Sequence, residues 1–218
     1  MPKRFDLVVF DWDGTLIDST GAIVACIQAA ARDVGIAVPD AAQASHVIGM
    51  GLQDALAHAV PDLADHQLAD FVARYRHHFL ARDAALPLFP GTRELLEGLR
   101  ERGHVLAIAT GKSRHGLARA LDTARLREAF VATRCADQTE PKPHPAMLLE
   151  LMEELDVPPE RTLMIGDTTH DLAMAASAQV TAVGVTFGAH PRAQLEALAP
   201  EALVDSTPDL DAWLRANA

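Results

Sequence analysis

Residues 5–15 read Phe-Asp-Leu-Val-Val-Phe-Asp-Trp-Asp-Gly-Thr, an apolar run that ends on two carboxylates two residues apart, then glycine and threonine. Leu7-Val8-Val9-Phe10 is short, β-branched and unbroken by polar residues, the pattern of a strand buried on both faces. Such a strand puts Asp11 and Asp13 at its carboxyl end, where open parallel α/β sheets hold their ligands. Gly14 permits a tight turn and a close backbone approach, and Thr15 offers a hydroxyl and an amide. Two carboxylates this close repel unless a cation lies between them or one holds a proton. Trp12 lies between them, and strand alternation turns it away, so it reads as packing. Taken alone, the run would equally suit an exposed acidic turn, because short motifs recur by chance.

Three further segments follow in a fixed order. Val105-Leu106-Ala107-Ile108-Ala109 is a second buried-strand run, and it ends at Thr110-Gly111-Lys112-Ser113. Pro141-Lys142-Pro143-His144-Pro145 holds a lysine in a stiff loop ahead of an apolar helix. Thr162-Leu163-Met164-Ile165 is a third strand run, ending at Gly166-Asp167-Thr168-Thr169-His170-Asp171. One sheet edge therefore collects two pairs of aspartates, a threonine and a lysine. Asp167 and Asp171 are four apart at a helix start and share a face. Helix capping alone would explain Asp167 but not Asp171. Lys142 reads by itself as a solvated loop lysine, yet it is one of only three lysines in the chain.

The 218 residues suit one large domain, or one domain carrying a small insertion. With 49% hydrophobic and 22% charged residues, the composition is that of an ordinary globular protein. A net charge of −11 argues against nucleic-acid binding, which needs a basic face. A polyanionic substrate stays compatible, since steering depends on the local field of a cleft. No run approaches the roughly 18 apolar residues of a membrane span. Met1-Pro2-Lys3-Arg4 leads straight into a strand, so no secretory signal is expected. Cys26 falls in a helical apolar pattern and Cys135 at a strand end, without metal-ligand spacing, and a reducing cytoplasm is the natural compartment.

Between the first strand and the rest lie roughly 70 residues, Ile17 to Pro87, with no good strand candidate. Ile23, Ile27, Ala30, Ala31 and Val34 recur at helical spacing, with Gly35 and Pro39 beyond as stop signals. Ala55, Leu56, Ala59 and Val60 suggest a short helix stopped by Pro61. Leu68, Phe71, Val72, Tyr75 and Phe79 make the stripe of a third. From Gly91 onward helices alternate with strands: helix 92–102, strand 104–109, helix 114–122, strand 130–134, helix 144–155, strand 161–165, helix 168–178 and strand 180–186. A tail of helix, short strand and helix closes the chain. This alternation predicts an α/β fold with a parallel sheet covered by helices on both faces.

The four motifs, in this order, resemble those of the haloacid dehalogenase-like (HAD) hydrolase superfamily: D-x-D-G-T, a Ser/Thr, a Lys and G-D-x-x-x-D. The resemblance covers essentially the whole chain and implies a Rossmann-like core, residues 1–16 and 88–218. It also implies an inserted all-helical type 1 cap, residues 17–87, hinged near Leu16–Asp18 and Leu86–Phe89. A fixed helical subdomain is the other reading of that insertion. By the same resemblance Asp11 is the nucleophile that forms an aspartyl phosphate, and Asp13 the general acid and base. Mg²⁺ would be bound by Asp11, the Asp13 carbonyl and Asp167, with Asp171 as a direct or outer ligand. Thr110 and Gly111 would hold phosphate oxygens, and Lys142 would neutralise charge.

Within the superfamily, Asp13 argues against dehalogenases, which lack the second aspartate. The absence of lysine between Lys3 and Lys112 excludes the Schiff-base chemistry of phosphonatases. From Asp33 to Phe71 there is no Arg or Lys, which argues against a phosphomutase, although Arg74, Arg76, His77 or His78 would be near enough to contribute. What remains is similar to the phosphoglycolate phosphatase group, a monophosphatase acting on a small phosphorylated metabolite, as monomer or homodimer. The expected substrate loop is Ile48-Gly49-Met50-Gly51-Leu52. A distal carboxylate would be met by amides at Gly49 and Gly51, or by Lys112, Arg114 or His115. Sugar phosphates, nucleoside monophosphates and pyrophosphate stay open as substrates. A non-catalytic regulatory protein of the same fold would be expected to have lost a catalytic carboxylate, and none is missing.

Overall fold

The computed structural model describes residues 3–218; Met1 and Pro2, which open the stretch expected to carry no signal, lie outside it. Strand β1, Leu7–Phe10, is buried along its whole length. Its alternation explains the unbroken apolar run. Val8 and Phe10 enter one core layer with Leu106, Ile108, Leu163 and Ile165, while Leu7 and Val9 enter the opposite layer with Ala107 and Met164. The other strands are β2 (Val105–Thr110), β3 (Ala132–Cys135), β4 (Thr162–Gly166), β5 (Thr181–Val185) and β6 (Ala202–Val204). They form one sheet in the order β3-β2-β1-β4-β5-β6, with every pairing parallel. β1 thus lies between β2 and β4, whose first connections leave in opposite directions. That is the switch point at which such sheets open a crevice.

The inserted helices are α1 (Thr20–Asp33), α2 (Ala41–His46), α3 (Leu52–Ala59) and α4 (Leu68–Asp83). They bury their own apolar cluster, including Ile23, Ile27, Ala30, Phe71 and Phe79. The sequence reading anticipated three helices here and passed over α2. Its signal is Asp40, whose side chain accepts from the Gln43 amide at 2.7 Å and caps the helix. The two chain crossings run side by side: the Asp18 amide donates to Pro87 at 2.9 Å and the Phe89 amide to Leu16 at 3.1 Å. The remaining helices are α5 (Thr92–Glu101), α6 (Arg114–Ala124), α7 (Ala146–Leu155), α8 (Thr169–Ser177), α9 (Arg192–Glu196) and α10 (Thr207–Asn217). They cover both sheet faces. The strand expected at 130–134 begins two residues later, because Arg127–Ala129 takes up a 3₁₀ turn ahead of it. Among the described residues, no helix is long and apolar enough to cross a membrane.

Candidate active site

Parallel pairing brings the carboxyl ends of β1, β2 and β4 to one edge, and with them Asp11, Thr110 and Asp167. Lys142, fully buried in the loop before α7, points at the same place. Its Nζ lies 2.8 Å from Asp11 Oδ1 and 2.6 Å from Asp171 Oδ1. Apart from Lys142, neither buried Asp11 oxygen has a polar partner. Asp167 is held on both sides, by the Thr15 hydroxyl at 2.8 Å and the Ala189 amide at 2.7 Å. Asp171 Oδ2 accepts from the Thr168 hydroxyl at 2.7 Å and the Thr168 amide at 3.1 Å.

Asp11, Asp167 and Asp171 each offer an oxygen within 4.8 Å of the others, against the single ammonium of Lys142. Burial pushes the Asp11 carboxyl up to about 7; Lys142 opposes this, and Asp171 and Asp13 add to it. Burial likewise raises Asp167 well above the carboxylate range, with Asp11 and Asp171 reinforcing the shift. For Lys142 burial works against the charge, but Asp11 and Asp171 outweigh it and hold the amine above the ordinary lysine range. Excess buried negative charge is the condition a divalent cation relieves. Gly14 fits the same picture. Its φ is +79°, and a Cβ there would stand 2.2 Å from Asp167 Oδ2, so a side chain would displace that carboxylate.

Asp13 faces away from this cluster. Its Oδ1 accepts from the Ser19 hydroxyl at 2.7 Å, and its Oδ2 lies 3.0 Å from Lys112 Nζ. The Asp13 side chain is therefore outside the group of carboxylates that can share an ion. Thr110 is fully buried, and its Oγ1 accepts from the Lys112 amide at 3.2 Å. A cavity of about 570 Å³ opens above Asp11 and Asp13, bounded below by Thr110, Gly111 and Lys112 and above by the inserted helices.

The loop 48–52 sits on three of the motif-bearing loops. A Cβ on Gly111 would stand 2.7 Å from the carbonyl of Gly49 and 2.9 Å from that of Met50, so only glycine allows this approach. A Cβ on Gly51 would meet the Pro141 ring at 2.8 Å, and one on Gly49 would meet Thr168 at 3.5 Å. Gly49 lines the cavity, whereas Gly51 packs on Pro141 outside it. Arg114 is turned away from the cavity. Its guanidinium donates to Thr133 Oγ1, its amide to Asp137, and it does not line the cavity. Lys112 lines it but is paired with Asp13 and lies 4.7 Å from the centre of the Phe79 ring. Cys135 is buried away from the cavity, its thiol pushed up to about 11 by burial.

Some participants carry no sequence signal. Ser19 and the Ala189 amide orient Asp13 and Asp167 from outside any motif. Another is a group of three imidazoles. His170 and His190 both direct Nε2 at the main-chain carbonyl of His46, at 2.9 and 3.0 Å, and the Ser45 hydroxyl donates to the Ala189 carbonyl at 2.7 Å. A carbonyl only accepts, so both Nε2 atoms carry hydrogen. The Thr169 amide donates to His190 Nδ1 at 3.0 Å, which fixes His190 as the neutral Nε2–H tautomer. Both nitrogens of His190 are engaged, and the bonds of His170 and His190 to the His46 carbonyl join the inserted helices to the core.

The chain that carries this edge, two aspartates after β1 with a threonine, a lysine and a second acidic pair from later loops, is similar along its length to known proteins. The family described as Haloacid dehalogenase-like hydrolase matches residues 8–185. A Dickeya dadantii protein named "Probable phosphatase IndB" is 38% identical over 208 residues, covering 92% of this chain and 89% of that protein. A phosphoglycolate phosphatase of Pseudomonas putida is 30% identical, covering 91% of this chain and 76% of its own. The crystal structure of a haloacid dehalogenase-like hydrolase from Bacteroides fragilis superposes with a TM-score of 0.86 at 27% identity, covering 95% of this chain and all of that one. The chain belongs to the haloacid dehalogenase-like hydrolase family. Within it, the protein is a HAD-type phosphatase.

Proposed function

We propose that the protein hydrolyses a small-molecule phosphate monoester with Mg²⁺ through an aspartyl phosphate on Asp11. The observation that carries this is Asp11 itself. It stands buried at the end of β1, paired only with Lys142 at 2.8 Å, and it borders the cavity shared with Thr110 and Gly111. The Asp11 carboxylate attacks phosphorus and the ester P–O bond breaks. Asp13 gives its proton to the departing oxygen, then takes one from the water that attacks the acyl phosphate and restores Asp11. Its bonds to Ser19 and Lys112 orient it at the cavity it shares with Asp11. The Thr110 hydroxyl and Gly111 amide hold phosphate oxygens, and Lys142 offsets charge on nucleophile and phosphoryl group.

The carboxylates fit a hard divalent cation. Asp11 and Asp167, with the Asp13 carbonyl, would hold Mg²⁺, which when bound neutralises nucleophile and phosphate together. Asp171, with both oxygens engaged by Lys142 and Thr168, orients the lysine. We assign residues 17–87 to a cap whose 48–52 loop covers the site and excludes water. The unpaired thiols Cys26 and Cys135 favour a reducing cytoplasm. Purified protein assayed with p-nitrophenyl phosphate and Mg²⁺ tests the reading. Activity that survives chelation removes the metal role, and an active Asp11→Asn variant removes the nucleophile.

A further inference from the structure

We infer that the group leaving phosphate is bulky and largely apolar, aromatic in character, rather than a small acid such as glycolate. This rests on the phosphatase reading above and concerns the far end of the same site. The cavity over Asp11 measures about 570 Å³, within the roughly 300–1,000 Å³ span of pockets that enclose sizeable organic ligands. Its upper walls are apolar: Ile23 and Ile27 from α1, Ala55 and Leu56 from α3, Phe71 and Tyr75 from α4. Phe71, Tyr75 and Phe79 recur every fourth residue, so α4 turns one aromatic stripe into the chamber, with the last two rings stacked at 5.9 Å. Such walls reward burial of a carbon skeleton and of a ring face.

The charges around the chamber point the same way. Lys112 is paired with Asp13, and Arg119 with Asp83 at 2.7 Å. Arg114 is turned to Thr133, while Arg76 and His115 line the chamber but are exposed, so that solvent screens their charge. Against Gly111 the covering loop places the carbonyls of Gly49 and Met50, which repel a carboxylate. An acid three bonds from phosphorus would lie beside these carbonyls with no buried cation free to pair with it, and burying an unpaired charge is costly.

The test compares 2-phenylethyl phosphate with ethyl phosphate, whose leaving alcohols have similar basicity, and with 2-phosphoglycolate, on the full chain with Mg²⁺. The expected result is a kcat/KM for the phenylethyl ester higher than for the other two by on the order of 10- to 100-fold. In Ala55→Phe, which fills the chamber, the phenylethyl-to-ethyl ratio should fall by about tenfold or more. Circular dichroism checks that the variant folds, and the wild-type ranking stands without it. If phosphoglycolate or ethyl phosphate is turned over as well as the aromatic ester, the inference is overturned and the phosphatase reading survives. If no ester is hydrolysed, the phosphatase reading fails and takes the inference with it.

Discussion

Nε2 of His190 donates a 3.0 Å hydrogen bond to the main-chain carbonyl of His46. The bond crosses from the core to the end of α2, and the residue before His190 supplies the amide that holds Asp167. Seating of the inserted helices and placement of the Asp167 carboxylate therefore share one short loop. His190→Phe keeps a ring to stack on His46 but removes a donor and the acceptor for Thr169. One buried hydrogen bond contributes about 1 kcal/mol, so KM should rise roughly fivefold, with a smaller change in kcat. Steady-state kinetics on a single phosphate ester decide this; an unchanged KM would remove the latch from the account.

Gly111→Ala tests the covering loop directly. The added methyl would occupy the place of the Gly49 carbonyl, 2.7 Å away, in the seated arrangement. The loop must lift, so KM should increase by about tenfold or more, while unfolding stability changes by less than about 1 kcal/mol because the clash is relieved by cap movement. Denaturant titration beside kinetics separates the two effects.

Lys142→Met leaves Asp11 and Asp171 buried without their counter-charge. Removing one partner of a buried ion pair costs about 3–5 kcal/mol, which for a chain of this size corresponds to a Tm drop on the order of 10 °C. Activity should be lost as well. A thermal scan of the variant against wild type is the measurement, and saturating Mg²⁺ should recover part of the difference.

Metal removal has its own signature. An ion that binds the native carboxylates alone raises stability by about 2.7 kcal/mol at a hundredfold excess over Kd. Mg²⁺ should therefore raise the wild-type Tm, and Asp167→Asn should abolish the rise. A variant still stabilised to the same extent would place the ion elsewhere.

At the far end of the sheet, Arg161 binds both oxygens of Asp6 at 2.7 and 2.8 Å, with Lys3 at 3.2 Å. Hydrogen bonding from Arg161 lowers the Asp6 carboxyl from 3.8 to about 2. The unfolded chain binds the extra proton between these values. The stabilisation is thus complete above pH 4 or so and is lost as pH falls through about 2. The pair is more than a third exposed, which limits its worth to below about 1 kcal/mol. Asp6→Asn should flatten the acid limb of a pH–stability curve without touching activity at neutral pH.

The motif residues were legible because their signals are local. An unbroken apolar run four residues long that ends on Asp11 has the pattern of a strand buried on both faces, and each later strand ends on its own polar group. The helical patterns of α1, α3 and α4 were legible in the same way. α2 was not, since Ala41–His46 is too short for a periodic stripe and only the Asp40 cap marks it. Arg114 looked like a ligand because it follows Thr110 closely in sequence, yet the first turn of α6 points it at β3 and Thr133.

By itself, then, the sequence determined the strands, the order of the four motifs and the identity of the carboxylates and lysine at the sheet edge, all properties of neighbours along the chain. The tertiary structure alone decided which partners those groups have. Lys142 is divided between Asp11 and Asp171, Asp13 is turned to Ser19 and Lys112, and the His46 carbonyl meets two imidazoles from the core. It also decided that the chamber over Asp11 is walled by apolar side chains from three helices. Contacts between residues a hundred positions apart depend on how whole layers pack, and no local pattern of residues encodes that distance.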